Sequence, residues 1–98
     1  MYQIFRLPAH KSGPSQLPDY TLSDGLFCPT VNHLRGWSDQ PDYELKSDGR
    51  IYRSPRHPLG ASCDPDYEFG PDGLMYRTDS HPDGRSQAPD YEVREMGR

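Results

Sequence analysis

Apolar and polar residues alternate along this chain in short runs. Tyr43-Glu44-Leu45-Lys46 is one such run and Arg50-Ile51-Tyr52-Arg53 is the next. Alternation with a period of two is the pattern of a half-buried β-strand. Ser47-Asp48-Gly49 stands between the two runs, and Asp-Gly flanked by alternating segments is a strong hairpin signal. The pattern returns in Tyr67-Glu68-Phe69, Pro71-Asp72-Gly73 and Met75-Tyr76-Arg77. Proline sets φ at the first corner of a type I turn, and glycine takes the left-handed position of a G1 bulge. Such a loop places Leu45 opposite Ile51 and Phe69 opposite Met75. An earlier hairpin is one residue shorter, and a two-residue Asp24-Gly25 turn there restores the equivalent pair, Leu22 with Phe27. No ten-residue stretch carries a helical period free of Pro or Gly.

Strand alternation predicts one apolar face made of Ile4, Tyr20, Leu22, Phe27, Tyr43, Leu45, Ile51, Tyr67, Phe69, Met75, Tyr91 and Val93. A mixed file, Phe5, Cys28, Tyr52 and Tyr76, lies on the opposite face. A lone hairpin cannot bury its share of the first face and is marginal in water. Several hairpins must therefore pool it.

The whole chain is an internal repeat. Pro-Asp-Tyr occurs at 18–20, 41–43, 65–67 and 89–91, with spacings of 23, 24 and 24 residues. All four histidines, His10, His33, His57 and His81, keep the same spacing. So do Gly13, Gly36, Gly60 and Gly84, and Ser15, Ser38, Ser62 and Ser86. The chain thus divides, within a single domain of residues 1–98, into a half-repeat 1–17, repeats 18–40, 41–64 and 65–88, and a half-repeat 89–98. Ile4-Phe5-Arg6 matches Ile51-Tyr52-Arg53 and supplies a second hairpin strand without a first. Pro89-Asp90-Tyr91-Glu92-Val93 supplies the missing first strand, and Arg98 falls at the place of Arg50. The expected fold is all-β: four antiparallel hairpins of about 24 residues in a closed pseudo-fourfold ring, sealed by pairing the two half-repeats. This resembles the terminal closure of β-propellers, which removes free edges. The alternative is an open ladder of hairpins, similar in shape to the tandem repeats of choline-binding cell-wall anchors. Those repeats carry Trp-rich motifs, whereas Trp37 stands alone here, so the likeness is one of shape only and identifies no family.

Composition narrows the function classes. The 98 residues are 32% hydrophobic with 11 Pro and 9 Gly, and their mean hydropathy is −1.01. A net charge of −4 with scattered Lys and Arg argues against a nucleic-acid partner. No apolar run spans a bilayer, and Met1 to Arg6 lack the apolar core of a signal peptide. Cys28 and Cys63 occupy different repeat positions, so they read as two free thiols of a reducing compartment, with a single bridge as the alternative. The expectation is a cytoplasmic protein without a membrane partner, with a protein or glycan as the remaining partner class.

The repeated polar residues admit several roles. The linkers, such as residues 54–63, are polar and rich in Pro and Gly, and an ordered segment of this kind must be tied down by side-chain to backbone bonds. The first reading is therefore a non-catalytic scaffold or binding module in which His, Ser and Asp stitch the linkers, with each Pro-Asp-Tyr aspartate forming an Asx-type turn. A second is a lectin-like, multivalent carbohydrate or peptide binder that uses Asp19, Asp42, Asp66 and Asp90 with Trp37, Tyr52 and Tyr76 as aromatic platforms. A third is a metal site of His10, His33, His57 and His81 meeting on a common axis. Four copies of Ser, His and Asp do not suggest an enzyme, because catalysis needs one preorganised site. No cofactor motif is present.

Overall fold

The computed structural model describes residues 1–95. Eight short strands follow in chain order: β1 (Tyr2–Arg6), β2 (Tyr20–Ser23), β3 (Leu26–Pro29), β4 (Tyr43–Leu45), β5 (Arg50–Arg53), β6 (Tyr67–Phe69), β7 (Met75–Arg77) and β8 (Tyr91–Glu95). Each pairs antiparallel with its neighbours, and β8 pairs with β1 to close a barrel. The described residues contain no helix.

The hairpin registers are those set by the turns. Leu22 faces Phe27, Leu45 faces Ile51 and Phe69 faces Met75. At the first turn Asp24 and Gly25 both adopt positive φ, 53° and 76°, the backbone of a type I′ turn. At the second and third, the amides of Gly49 and Gly73 donate to the carbonyls of Lys46 and Gly70, with φ of 79° at each glycine. This is the type I turn with a left-handed glycine. Asp48 and Asp72 brace these loops. Their carboxylates accept the amides of Arg50 and Leu74 and the hydroxyls of Tyr52 and Tyr76.

Successive hairpins join through a second set of pairs: Phe27 with Tyr43, Ile51 with Tyr67, and Met75 with Tyr91. Ile4 faces Tyr20 on one side and Val93 on the other. All twelve residues of the predicted apolar face point into the barrel: nine are buried, and Leu45, Phe69 and Val93 are partly buried against them. An eight-stranded barrel is just wide enough to be filled by its own side chains, and Ile4, Phe27 and Ile51 are fully shielded from solvent. On the outer face Phe5 is buried beneath the Arg94 guanidinium, 4.2 Å from its ring centre. The two end strands make a five-pair ladder from Tyr2–Glu95 to Arg6–Tyr91. An open ladder of hairpins is therefore not the fold. The predicted match of Arg98 to Arg50 lies outside the described residues.

Candidate functional site at the barrel mouth

Each linker is built as two consecutive tight turns that share a histidine. The amides of His10, His33, His57 and His81 donate to Leu7, Thr30, Ser54 and Thr78, and the amides of Gly13, Gly36, Gly60 and Gly84 donate to the four histidine carbonyls. These glycines have φ near +80° (79° to 84°), so the second turn closes through a conformation that L-residues avoid. The histidine side chain folds back over this turn. Nδ1 of each ring accepts the amide two residues on, from Ser12, Arg35, Leu59 and Asp83, at 3.0 Å in every case.

That bond fixes the tautomer. A nitrogen that accepts an N–H carries no proton, so in the neutral ring the proton resides on Nε2. Nε2 in turn donates to a tyrosine hydroxyl: His33 to Tyr20 at 3.0 Å, His57 to Tyr43 at 3.2 Å, His81 to Tyr67 at 3.1 Å and His10 to Tyr91 at 3.1 Å. The last pair joins the two ends of the chain. Burial lowers the pKa of all four histidines, that of His10 to about 4, where Arg6, Lys11 and Arg77 add to the effect.

The four tyrosines, one from each Pro-Asp-Tyr, form a closed cycle of edge-to-face contacts. Their ring centres lie 6.0 Å apart for Tyr20 and Tyr43, 5.6 Å for Tyr43 and Tyr67, 5.6 Å for Tyr67 and Tyr91, and 6.1 Å for Tyr91 and Tyr20. Edge-to-face packing suits the aromatic quadrupole. The tyrosines therefore hold the centre, and the histidines stand behind them, one to each.

The aspartates have a different task from the Asx turns expected of them. Asp19, Asp42, Asp66 and Asp90 are buried, and their carboxylates pair with arginines. Arg6 meets Asp19 at 3.2 Å, Arg53 meets Asp66 at 2.9 Å and Arg77 meets Asp90 at 3.5 Å. Arg6, Arg53 and Arg77 occupy one repeat position, and the first full repeat has Pro29 there. Asp42 instead takes Arg35 from its linker, together with the hydroxyl of Tyr20. Burial of a carboxylate is costly unless it is paired, so the substitution at 29 is offset by a second one at 35. Phasing of Arg6, Arg53 and Arg77 was visible in the sequence, and the gap at Pro29 was the sign that Arg35 matters. The repeated serines fold onto their own linkers: Ser15, Ser62 and Ser86 donate to the carbonyls of Leu17, Asp64 and Ala88, and Ser38 accepts the amide of Gln40.

These parts enclose one cavity of about 430 Å³ at a mouth of the barrel. The four tyrosines and four histidines line it, with Asp19, Asp66 and Asp90 also reaching its wall. The linker positions after each histidine form the rim. On one side these are Leu34, Pro58 and Leu59 together with the half-exposed Arg35, and on the other Lys11 and Asp83, 3.7 Å apart. Asp42 is not on this wall. Trp37 is 64% exposed and lies outside the mouth, as do Tyr52 and Tyr76 on the hairpin flanks. The proposed aromatic platforms are thus not brought together. Sequence reasoning placed the four tyrosines in the core and missed them as site residues. The constant offset of 13 or 14 residues from tyrosine to histidine within the repeats was the available signal.

Among the described residues no group of three or more His, Cys, Asp or Glu is arranged to hold a metal. Cys28 and Cys63 are free thiols, and burial raises the pKa of Cys28. Among the described residues no helix is long and apolar enough to cross a membrane. No family model matches the chain, and comparison with curated proteins and with solved structures also gives no match.

Proposed function

We propose that the chain is a small non-catalytic binding module: a pseudo-fourfold ring of four hairpin repeats that takes one small ligand in its tyrosine–histidine mouth. The observation that carries this reading is the convergence of one Tyr–His pair per repeat on a single cavity. A concave site with convergent polar groups is the usual form of a small-ligand pocket. The repeated His, Ser and Asp are the frame of that pocket, since the histidines and serines are hydrogen-bonded within the chain and the aspartates lie in ion pairs with arginines. The serine hydroxyls are spent on their own linkers, which favours binding over acyl-transfer chemistry. One central site is favoured over four shallow ones, because Trp37, Tyr52 and Tyr76 lie apart from the cavity. Two free thiols suit a reducing, cytoplasmic setting.

Titration with a panel of small fragments, followed by NMR of the tyrosine rings, tests the proposal. Ligands should shift Tyr20, Tyr43, Tyr67 and Tyr91 together. Fragments that perturb only Trp37 or the outer-wall tyrosines would place the site elsewhere, and a glycan array would then follow.

A further inference from the structure

The linker end of the barrel carries most of the exposed apolar surface. The described residues leave eight large hydrophobic side chains exposed, and five of them lie on linkers: Leu17, Val31, Leu34, Trp37 and Leu59. The four linkers, before β2, β4, β6 and β8, follow one another around the mouth in chain order, because the strands close in chain order. Their apolar residues are not shared evenly. Val31, Leu34 and Trp37, 64% to 75% exposed, stand on the second linker, where the fourth has Asp79, Pro82 and Arg85 at the same repeat positions. Both linkers make the same two turns, closed by the amides of His33 and Gly36 in one and of His81 and Gly84 in the other. The fold therefore does not call for an apolar second linker, and a cluster of exposed large hydrophobic residues marks a contact surface.

Charge and symmetry say what fits that surface. Leu34 on the second linker shares the rim with Pro58 and Leu59 on the third. The first linker contributes the exposed Lys11, and the fourth contributes the exposed Asp79 and Asp83. A second copy set mouth to mouth about a twofold axis lying across the opening matches these linkers in one of four ways. Two of them put the second linker on the partner's fourth or first, so that Leu34 and Trp37 meet charged groups. Another sets the second and the fourth linker each on its own copy, so that Asp79 and Asp83 meet their like. The last sets second on third and first on fourth. Leu34 then meets Pro58 and Leu59, and Lys11 meets Asp79 and Asp83. The other exposed charges on the second and third linkers include Asp39 and Arg56, which are of opposite sign on facing linkers, while Arg35 is held by Asp42. Val31, Leu34, Trp37 and Leu59 together expose about 500 Å², enough for the apolar share of one side of a stable complex, which buries roughly 800 Å² per partner.

We propose that this face pairs two copies of the chain mouth to mouth, the second linker of each lying on the third linker of the other. Leu34 and Leu59 form the apolar centre, and Lys11 with the partner's Asp79 and Asp83 sets the register. Lys11 and Asp83 of one chain are exposed and 3.7 Å apart, a surface pair that gives up little when it is shared with a partner. The two tyrosine–histidine cavities then face one another and join into one chamber. The pairing needs no ligand, so it stands or falls separately from the mouth as a binding site.

Sedimentation velocity of the full chain tests this. Interfaces of this size reach micromolar affinity or better, so at about 100 μM the chain should sediment as a dimer. Leu34→Asp and Leu59→Asp should each weaken association at least about tenfold, as truncation at an interface centre does. Both side chains are exposed in the single chain, so circular dichroism should stay unchanged. Leu26→Ser, at the opposite end of the barrel, should leave the dimer intact. Lys11→Glu should weaken it, and adding Asp83→Lys should restore most of the loss. A monomer at that concentration would overturn the pairing, as would a dimer that both leucine variants leave intact. A dimer that requires Leu34 yet ignores the charge reversal at Lys11 joins about a different axis, and that too overturns the pairing of linkers proposed.

Discussion

Each histidine has both ring nitrogens engaged, and that fixes its charge state. Protonation would put a hydrogen on Nδ1, where a backbone amide already points. Burial drives the folded pKa of all four below the unfolded value of ~6.5. A lowered pKa means the unfolded chain binds the proton more tightly. The histidine contribution is therefore complete above ~6.5 and is lost as pH falls through that value toward the folded pKa, about 4 for His10. Asp19 and Asp90, whose pKa values are raised chiefly by burial, act in the opposite sense only at the acid end. Melting temperature should thus fall steadily from pH 7 to pH 5; a flat or rising profile would show that the rings tolerate charge. The ion pairs give a second residue-scale expectation. Asp66→Ala strands Arg53 and should cost about 3 kcal/mol in urea unfolding, the lower end for breaking a buried pair. Arg35 is half exposed at 49%, but Arg35→Ala leaves buried Asp42 with only the Tyr20 hydroxyl, so it should cost about 2 kcal/mol. Adding Pro29→Arg to Arg35→Ala should recover that loss by restoring the repeat's own arginine. If the double variant is weaker than Arg35→Ala alone, position 29 cannot reach Asp42. The residues of this site were legible as a phased set, since His, Asp and Tyr recur together. Their partners were not, because spacing says which residues share a repeat and leaves open which way a ring turns out of the linker.

At the level of strands and turns, the sequence carried nearly everything. Loop length and turn chemistry set each hairpin register, and period-two alternation then sorted residues between the core and the outer wall without further information. The Asp24-Gly25 turn shows how tightly this is held. Gly25 has φ of 76°, and a Cβ there would lie 3.2 Å from the carbonyl oxygen of Leu45. The carbonyl of Gly25 also accepts the Leu45 amide at 2.7 Å, so the turn carries part of the β3–β4 junction. Gly49 has a similar φ of 79° but open space around it. Gly49→Ala should therefore cost only the left-handed backbone term, about 1 kcal/mol, and Gly25→Ala clearly more. Equal losses in chemical denaturation would mean that the Gly25 turn shifts freely away from β4. What local rules could not show was the junction between hairpins. Phe27–Tyr43, Ile51–Tyr67 and Met75–Tyr91 pair across linkers without a turn to fix their register, and it is the buried aspartates that fix it. The amides of Asp19, Asp42, Asp66 and Asp90 donate to Ile4, Phe27, Ile51 and Met75, while the carbonyls accept from the start of the next linker or, for Asp90, from Leu7.

Closure is a property of the whole molecule. The ladder between β1 and β8 has five pairs, from Tyr2–Glu95 to Arg6–Tyr91, and places Ile4 and Val93 side by side in the core. Removing Met1 to Arg6 would expose β2 and β8 along one edge each and take fully buried Ile4 from the core together with the partner of Asp19. The chain should then unfold entirely, because no hairpin is stable alone. The sharper expectation uses the same ladder constructively. β1 and β8 form a hairpin that lacks only its turn. A peptide bond from Arg98 to Met1 would leave residues 96–98 and Met1 between Glu95 and Tyr2, a four-residue connection of a kind common in hairpins. New ends can be opened between Ser47 and Asp48, in an exposed turn where Asp48 keeps its bonds to Arg50 and Tyr52. The cut gives up the Lys46–Gly49 turn bond but leaves the β4–β5 pairs in place. This permutant should fold to the same barrel with a similar dependence on urea, losing no more than about 2 kcal/mol through loop closure and the lost turn. In an open ladder the same join would have to cross the length of the array and would prevent folding. Circular dichroism and a urea titration of the permutant separate the two: a folded, cooperative transition requires β1 and β8 to be neighbours, and an unfolded chain would show that they are not.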